Sequence, residues 1–327
     1  MRILLARVLP LILFLLLFTR TSLLAGESRP TSQGDIKKAI ERARALRAQT
    51  KLVPGVLQSS GLILKAGDVR LGQATLRIDD AKGEGGATYK LSEQYKTAIV
   101  EDGKGAQIRY SGTLLLGSDL ALLSGELKQT AELKDSDGKE QTATTTITLK
   151  LDGDTLTYER TAQRKGEDKP FASEKKKIAL HGERPMPMNA LLGLAVFVSN
   201  AEKDGWKPDP KNALCVPVLD LNWEMVDVGV EPAWVSFDQP TYMEPKNTAA
   251  VMRVRVLVGE VGEKGLEVDA PEPQVWRAVQ TWALDARAKA LAHPAPPDPR
   301  IKIEPADAES VDIETPLDLA KIGAALK

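Results

Sequence analysis

The sequence predicts a mainly β protein of the α+β class. We expect a curved antiparallel meander sheet or half-open barrel, with an apolar helix in its concavity and with N-terminal and C-terminal helices. Three observations lead to this fold. Roughly seven runs between residues 61 and 181 alternate apolar and polar side chains with period two. Turn-forming stretches such as DDAKGEGG (79–86) and EDGKG (101–105) separate the runs. No long helical crossover intervenes, which excludes parallel pairing.

The composition is that of an ordinary foldable chain, with 327 residues of which 43% are hydrophobic and 27% are charged. The formal net charge of −1 argues against nucleic acid as a partner, because phosphate binding needs an excess of Lys and Arg. The single cysteine excludes a disulfide framework, and the two histidines leave few ligands for a metal site. We therefore expect no cofactor and no metal.

The N-terminus is typical of a secretory signal peptide over residues 1–26. Arg2 and Arg7 make its start basic, an apolar run (VLPLILFLLLF, 8–18) follows, and small residues end it at Gly26. The apolar run is shorter than the roughly 20 residues that a membrane-spanning helix needs. We therefore predict cleavage near Gly26, export to the periplasm or the extracellular space, and no stable membrane span in the mature chain.

Residues 27–60 are predicted to form an N-terminal helix and a linker. Ser32 and Asp35 have the spacing of a capping box, and the apolar residues that follow recur at helical spacing. These apolar residues are Ile36, Ala39, Ile40, Ala43 and Leu46. Arg42, Arg44 and Arg47 interleave with them. The favoured interpretation is a solvated helix face, and the alternative is contact with an acidic membrane surface.

Residues 61–200 are predicted to form the meander and the apolar helix that closes it. The alternation puts six apolar or aromatic residues on one buried side of the sheet: Tyr89, Leu91, Tyr95, Ile99, Ile147 and Leu149. Glu93 interrupts this face, and the alternating polar residues up to Lys96 face water. Glycines at 72, 112 and 117 indicate bulges or sharp curvature.

The segment Pro187–Asn200 (PMNALLGLAVFVSN) is apolar nearly all round. It is too short to span a membrane, so we expect a helix buried against the concave side of the sheet. In that position Leu191, Leu194 and Phe197 would line the concavity. They are the first candidate ligand-binding residues.

Residues 201–292 are predicted to form a second β-rich part, with strands at 216–225, 233–237 and 248–258, and residues 273–293 fit helix or strand. All five tryptophans lie in this part: Trp206, Trp223, Trp234, Trp276 and Trp282. They either fill its core or form an aromatic surface for an apolar or sugar ligand. Trp206 and Trp223 follow the apolar helix and are further candidate binding residues.

Residues 293–327 are predicted to form a Pro-rich linker and a short terminal helix from Leu317 to Leu326.

The order of these elements resembles the lipoprotein-carrier proteins with the Lol-type periplasmic half-barrel fold. The resemblance rests on residues 67–95 (GDVRLGQATLRIDDAKGEGGATYKLSEQY), the strands up to Leu180, and the apolar segment Pro187–Val198. It is one of architecture and involves no diagnostic motif. It implies a protein that holds acyl chains in its concavity and carries out no reaction.

The sequence contains no GxSxG, HExxH or Walker A motif. His181 and His293 stand beside turn residues, and Cys215 lies in an apolar run, so no residue is predicted to be catalytic. We therefore expect a non-enzymatic, exported protein that binds a lipid, an acyl chain or a cell-envelope protein in the sheet concavity. The first alternative is a structural or interaction scaffold of the envelope without a ligand. The second is a hydrolase acting on polysaccharide through two carboxylates.

Overall fold

The computed structural model describes eleven parts of the chain. These are residues 32–49, 58–81, 83, 85–101, 104–134, 140–187, 213–220, 229–238, 251–280, 301–306 and 310–325. The protein is mainly β, with two helices, α1 (Gln33–Gln49) and α2 (Leu319–Ala325), among the described residues. The predicted fold class, a mainly β α+β protein built on an antiparallel meander, is confirmed.

Nine strands form one antiparallel sheet, which we call the large sheet, in the order β14-β1-β2-β3-β4-β5-β6-β7-β8. Its first eight strands follow one another along the chain, one more than the sequence analysis predicts. Their bounds are β1 Gln58–Ala66, β2 Val69–Asp80, β3 Tyr89–Glu101, β4 Lys104–Leu116, β5 Leu122–Lys134, β6 Glu140–Asp152, β7 Thr155–Arg164 and β8 Ala172–Ala179. The ninth, β14 (Ile301–Ala306), pairs with β1 and lies within the segment predicted as an extended linker.

Five strands form the small sheet, in the order β13-β12-β11-β10-β9. The strands are β9 Met186–Pro187, β10 Leu214–Asp220, β11 Gly229–Asp238, β12 Val251–Gly262 and β13 Gly265–Gln280. The three strands predicted around 216–225, 233–237 and 248–258 correspond to β10, β11 and β12. Strand β13 includes residues 273–280, so this part of the ambiguous segment is strand.

The two sheets share one hydrophobic core. The side of the large sheet that faces this core, here called the inner face, carries Leu91, Ile147 and Leu149, and it packs with Val216 and Val218 of β10. Tyr89 belongs to the same core, and Tyr95 packs against it. The period-two alternation therefore identifies the buried face correctly at each of these inner-face positions. The side chain of Ile99 lies outside the described residues.

Helix α1 begins where the capping signal predicts. The Ser32 hydroxyl accepts a hydrogen bond from the Asp35 backbone N–H (3.2 Å) and donates one to the Asp35 carboxylate (3.0 Å). Ile36, Ala39 and Ala43 are buried, so the apolar stripe is the packed face. Arg47 is also buried, which makes the predicted solvated basic face wrong at this position. The physical reason is the loop at Asp119, which covers the end of the helix and accepts a hydrogen bond from Arg47.

The C-terminal segment 310–325 covers part of the other side of the large sheet, here called the outer face. Ile322 of α2 packs with Leu71 and Ala98, and Leu319 touches the backbone at Gly105. Lys96 is buried beneath this segment and donates hydrogen bonds to the carbonyl oxygens of Asp312 and Thr315. The expectation that Lys96 faces water is therefore wrong, because a segment more than two hundred residues away along the chain covers it.

Of the three glycines expected at bulges, one lies beside a register shift. The pairing of β1 with β2 slips between Leu64 and Lys65, next to Gly72. Gly112 lies in regular pairing, and Gly117 lies in the loop after β4. The apolar helix predicted over 187–200 lies outside the described residues, apart from Pro187 in β9.

Candidate functional site

The inner face of the large sheet is apolar for most of its area but contains a buried acidic group. Glu93 lies on β3 between Leu91 and Tyr95, at the position where the sequence alternation is interrupted. It is 8% exposed, and the Tyr110 hydroxyl donates a hydrogen bond to its Oε2 atom (3.3 Å). The rings of Tyr95 and Tyr110 stack with their centroids 4.6 Å apart. We call Glu93, Tyr95 and Tyr110 the polar cluster.

A glycine makes room for this cluster. Gly112 stands opposite Glu93 in the pairing of β3 with β4, and the Tyr110 side chain lies over it. A Cβ atom at this position would lie 2.5 Å from the Tyr110 hydroxyl oxygen and 2.8 Å from the Leu127 Cδ2 atom. The absence of a side chain at Gly112 therefore lets the Tyr110 hydroxyl reach Glu93.

The polar cluster is held in its neutral form. Burial raises the pKa of the Glu93 carboxyl to about 8, and the hydrogen bond with Tyr110 opposes this shift. Burial also raises the pKa of Tyr95 and of Tyr110, and the proximity of Glu93 acts in the same direction. At neutral pH the Glu93 side chain is therefore an uncharged carboxylic acid, which offers both a donor and an acceptor.

Three further side chains of the inner face have buried polar atoms without a hydrogen-bond partner among the described residues: Gln129 Oε1, Tyr158 Oη and Arg160 Nε. Gln129 stands opposite Tyr110, Tyr158 opposite Leu149, and Arg160 opposite Ile147. Each of them is on the strand side that carries the buried apolar residues. An unsatisfied buried polar atom destabilises a folded chain by about 1–3 kcal/mol, so a face used only for packing tends to exclude such atoms.

The pKa of the Tyr158 hydroxyl is consistent with a polar group buried in the inner face. Burial raises the pKa of the Tyr158 hydroxyl to about 12, the positive charge of Arg160 opposes the shift, and Glu174 reinforces it. Arg160 and Glu174 face each other across β7 and β8. The inner face therefore combines a large apolar area with a few polar groups, as ligand-binding surfaces do.

The candidate binding residues named from the sequence lie elsewhere. Leu191, Leu194, Phe197, Trp206 and Trp223 all fall outside the described residues. Trp234, from the same aromatic group, is 4% exposed in a cluster with Cys215 and Leu257, so this tryptophan fills the core of the second part.

The side chains considered for chemistry occupy structural positions. Cys215 is buried on β10, and burial strongly raises the pKa of its thiol. His181 is an exposed turn residue after β8 with a φ of 45°. Within the described ranges, no group of three or more His, Cys, Asp or Glu side chains is arranged to hold a metal ion. No helix in this part of the chain is long and apolar enough to cross a membrane.

Sequence reasoning missed most of the polar inner face. Glu93 left a visible signal, a charged residue at an apolar position of an alternating strand. Gln129 and Arg160 left only a weak signal, because their strands contain many polar residues on both faces. Once Leu127 and Tyr158 are known to point inward, positions two residues away follow from the period of the strand.

Comparison with protein-family models gives no match, and comparison with curated proteins and with solved structures gives no significant match.

Proposed function

We propose that this is an exported, non-enzymatic protein that binds an apolar ligand, such as a lipid or an acyl chain, against the inner face of the large sheet. The observation that carries the proposal is the composition of that face. Buried aliphatic residues such as Leu127 and Ile147 surround polar atoms that have no hydrogen-bond partner among the described residues. A ligand with a long apolar body and a small polar group would satisfy both.

Burial of the candidate nucleophile supports binding rather than catalysis. A raised thiol pKa keeps Cys215 in its unreactive neutral form. The polysaccharide-hydrolase alternative needs two carboxylates about 5–9.5 Å apart in a cleft. The cleft at the end of β4, described below, has one carboxylate in its lining, that of Asp119.

Two adjacent residues on β6 provide a matched test. Ile147 points to the inner face and is fully buried, whereas Thr148 is its exposed neighbour on the outer face. The full-length protein, purified from its own host, is analysed by native mass spectrometry and titrated with a fluorescent fatty acid. We expect an added mass from a retained lipid and saturable binding. Ile147→Trp should weaken binding about tenfold or more by filling the site, and Thr148→Trp should leave it unchanged.

The stability of Ile147→Trp distinguishes a ligand site from a filled core. If the inner face has space for a ligand, Ile147→Trp should cost less than the roughly 1–3 kcal/mol that is typical of overpacking a well-packed core, as judged by urea unfolding. A protein that retains no lipid, binds no fatty acid and unfolds when Ile147 is replaced by Trp would contradict the proposal. That result would favour the scaffold alternative.

A further inference from the structure

A cleft of about 540 Å³ lies at the end of the large sheet, where the loop after β4 meets the last turn of α1. Its lining includes Arg47, Thr88, Ser118, Asp119, Leu123 and Arg184. The volume is in the range of sites that hold small organic molecules. Among the described lining residues, two of the three charged side chains are cationic, which gives these residues one net positive charge.

Arg47 of α1 lines this cleft, and its guanidinium group makes only some of its possible hydrogen bonds to the described residues. Its Nε atom donates a hydrogen bond to the Asp119 carbonyl oxygen (3.3 Å). Its Nη2 atom lies 3.6 Å from Asp119 Oδ2, beyond hydrogen-bond distance, and has no hydrogen-bond partner in the part of the chain that the structure describes. The Arg47 side chain is only 9% exposed. Burial lowers the pKa of Arg47, and the carboxylates of Asp119 and Glu183 oppose the shift. A buried cation that lacks a full set of acceptors favours an added anion.

Arg184 approaches the same carboxylate from the other side. Its Nε atom also lies 3.6 Å from Asp119 Oδ2, and 44% of its side chain is exposed. The adjacent Glu183 is buried and paired with Arg44, and its charge also acts on Arg47. One carboxylate therefore serves two guanidinium groups, each at 3.6 Å, and the partly exposed Arg184 can offer N–H donors to a ligand.

The backbone around the cleft contains a non-glycine residue with a positive φ, a glycine with no room for a side chain, and a register shift between two strands. Leu120 has a φ of 61°, in the left-handed region that a branched side chain rarely adopts. A Cβ atom at Gly117 would lie 2.8 Å from Asp119 Oδ1. The pairing of β4 with β5 slips at Leu115 and Leu116, which leaves Leu123 without a partner and directs it to the cleft. Together these features hold Asp119 between the two arginines.

We propose that this cleft binds a hydrophilic organic carboxylate, such as an acidic sugar. A single carboxylate matches the single net positive charge and the planar geometry of the guanidinium groups. The hydroxyl groups of Thr88 and Ser118 can form hydrogen bonds with a polar body, and Leu123 is the single large apolar side chain among the described lining residues. This site is separate from the apolar ligand proposed for the inner face and does not depend on it.

Calorimetric titration of the full-length protein with glucuronate, glucose and octanoate tests the site. We expect saturable binding of glucuronate, and binding of glucose at least about tenfold weaker because it lacks the charge. Octanoate can also bind at the inner face, so its binding to the cleft is measured as the part that Arg184→Gln removes, and this part should be weaker than for glucuronate. A tighter Arg184-dependent binding of octanoate than of glucuronate would overturn the assignment to a hydrophilic ligand.

Arg184→Gln should weaken glucuronate binding about tenfold or more, and because Arg184 is partly exposed the variant should fold normally. Arg77→Gln is the matched control, since Arg77 is another partly exposed arginine paired with a carboxylate, that of Asp79, away from the cleft. Glucuronate binding that is absent in the wild-type protein, or that survives Arg184→Gln, would overturn the proposal.

Asp119→Asn tests the same site with a substitution that should strengthen glucuronate binding instead of weakening it. It removes the internal carboxylate and keeps an oxygen for the hydrogen bond from the Ala121 N–H. The two arginines then lack an anion, so glucuronate should bind about tenfold more tightly at low salt, and the gain should shrink as salt is added. Unchanged or weaker binding would show that the arginines serve only to position the loop, which contradicts the proposal.

Discussion

Glu93 is the residue at which the inner face departs most from an ordinary core. Its pKa rises from 4.5 to about 8 on folding, so the folded state holds a proton that the unfolded state has lost between these pH values. The contribution of Glu93 to stability is therefore fully present below about pH 4.5. It is lost as the pH rises to about 8, by at most about 1.4 kcal/mol per pH unit.

Glu93→Gln should remove this pH dependence, because glutamine fills the same volume and does not ionise. We expect the variant to be more stable than the wild-type protein at about pH 8, and the difference to shrink towards about pH 5. Urea unfolding at several pH values measures it. Glu126→Gln, an exposed residue on the outer face of β5, is the control and should leave the slope unchanged. Parallel pH profiles for the wild-type protein and Glu93→Gln would show that Glu93 is charged in the fold.

Gly112 gives a second prediction at the scale of a residue. Gly112→Ala should destabilise the protein by about 1–3 kcal/mol, because the new Cβ atom would clash with Tyr110 and Leu127. Tyr110→Phe removes the nearer atom, so the cost of Gly112→Ala should fall in that background. Gly229→Ala is the control, since a Cβ atom there meets nothing within 4 Å. Equal costs at Gly112 and Gly229 would exclude the close approach of Tyr110.

At the scale of elements, strand β6 allows the two faces of the large sheet to be compared, because its alternate residues point to opposite faces. Leu149→Ala on the inner face should lower the free energy of unfolding by about 2–5 kcal/mol, because a buried aliphatic group is deleted. Thr146→Ala on the opposite face should change it by only about 0.5 kcal/mol. Chemical denaturation measures both. Similar costs for the two substitutions would make the assignment of the faces wrong.

The C-terminal segment 310–325 gives the second element-scale prediction. Ile322 is fully buried, and its replacement by Asp should detach α2 from the outer face without unfolding the large sheet. Limited proteolysis should then remove this segment at least about tenfold faster than in the wild-type protein. Lys321→Ala, at the exposed neighbouring position, should digest like the wild-type protein. Unchanged resistance of Ile322→Asp would mean that α2 is held by other contacts.

At the scale of the whole molecule, the N-terminus predicts export. We expect the mature protein to begin near residue 27, as a signal peptide ending at Gly26 requires. Intact-mass measurement and N-terminal sequencing of protein recovered from the native host give the answer. A chain that still begins at Met1 would contradict the prediction.

What the sequence predicts well in this molecule is local. The cap at Ser32 and the alternation from Tyr89 to Tyr95 depend on neighbouring residues, and the structure follows them. The burial of Arg47 and Lys96 depends on segments far along the chain, at Asp119 and at 310–325. Composition gave no sign of these contacts, because arginine and lysine are usually exposed. The cleft combines four distant segments, at Arg47, Thr88, Ser118–Leu123 and Arg184, so no sequence window contains it.

The pairing of β1 with β14 has a consequence for how the chain folds. Gly61 pairs with Ala306, so the second edge of β1 stays uncovered until residues 301–306 have been synthesised and have paired with it. Contacts between such distant residues slow folding, because a long loop must close before the pairing is gained. Until then β1 presents an open edge that can pair with another molecule. A chain that ends before residue 301 would therefore expose the nine-residue strand β1 at the edge of the sheet in place of the six-residue, proline-containing strand β14, and should aggregate more readily.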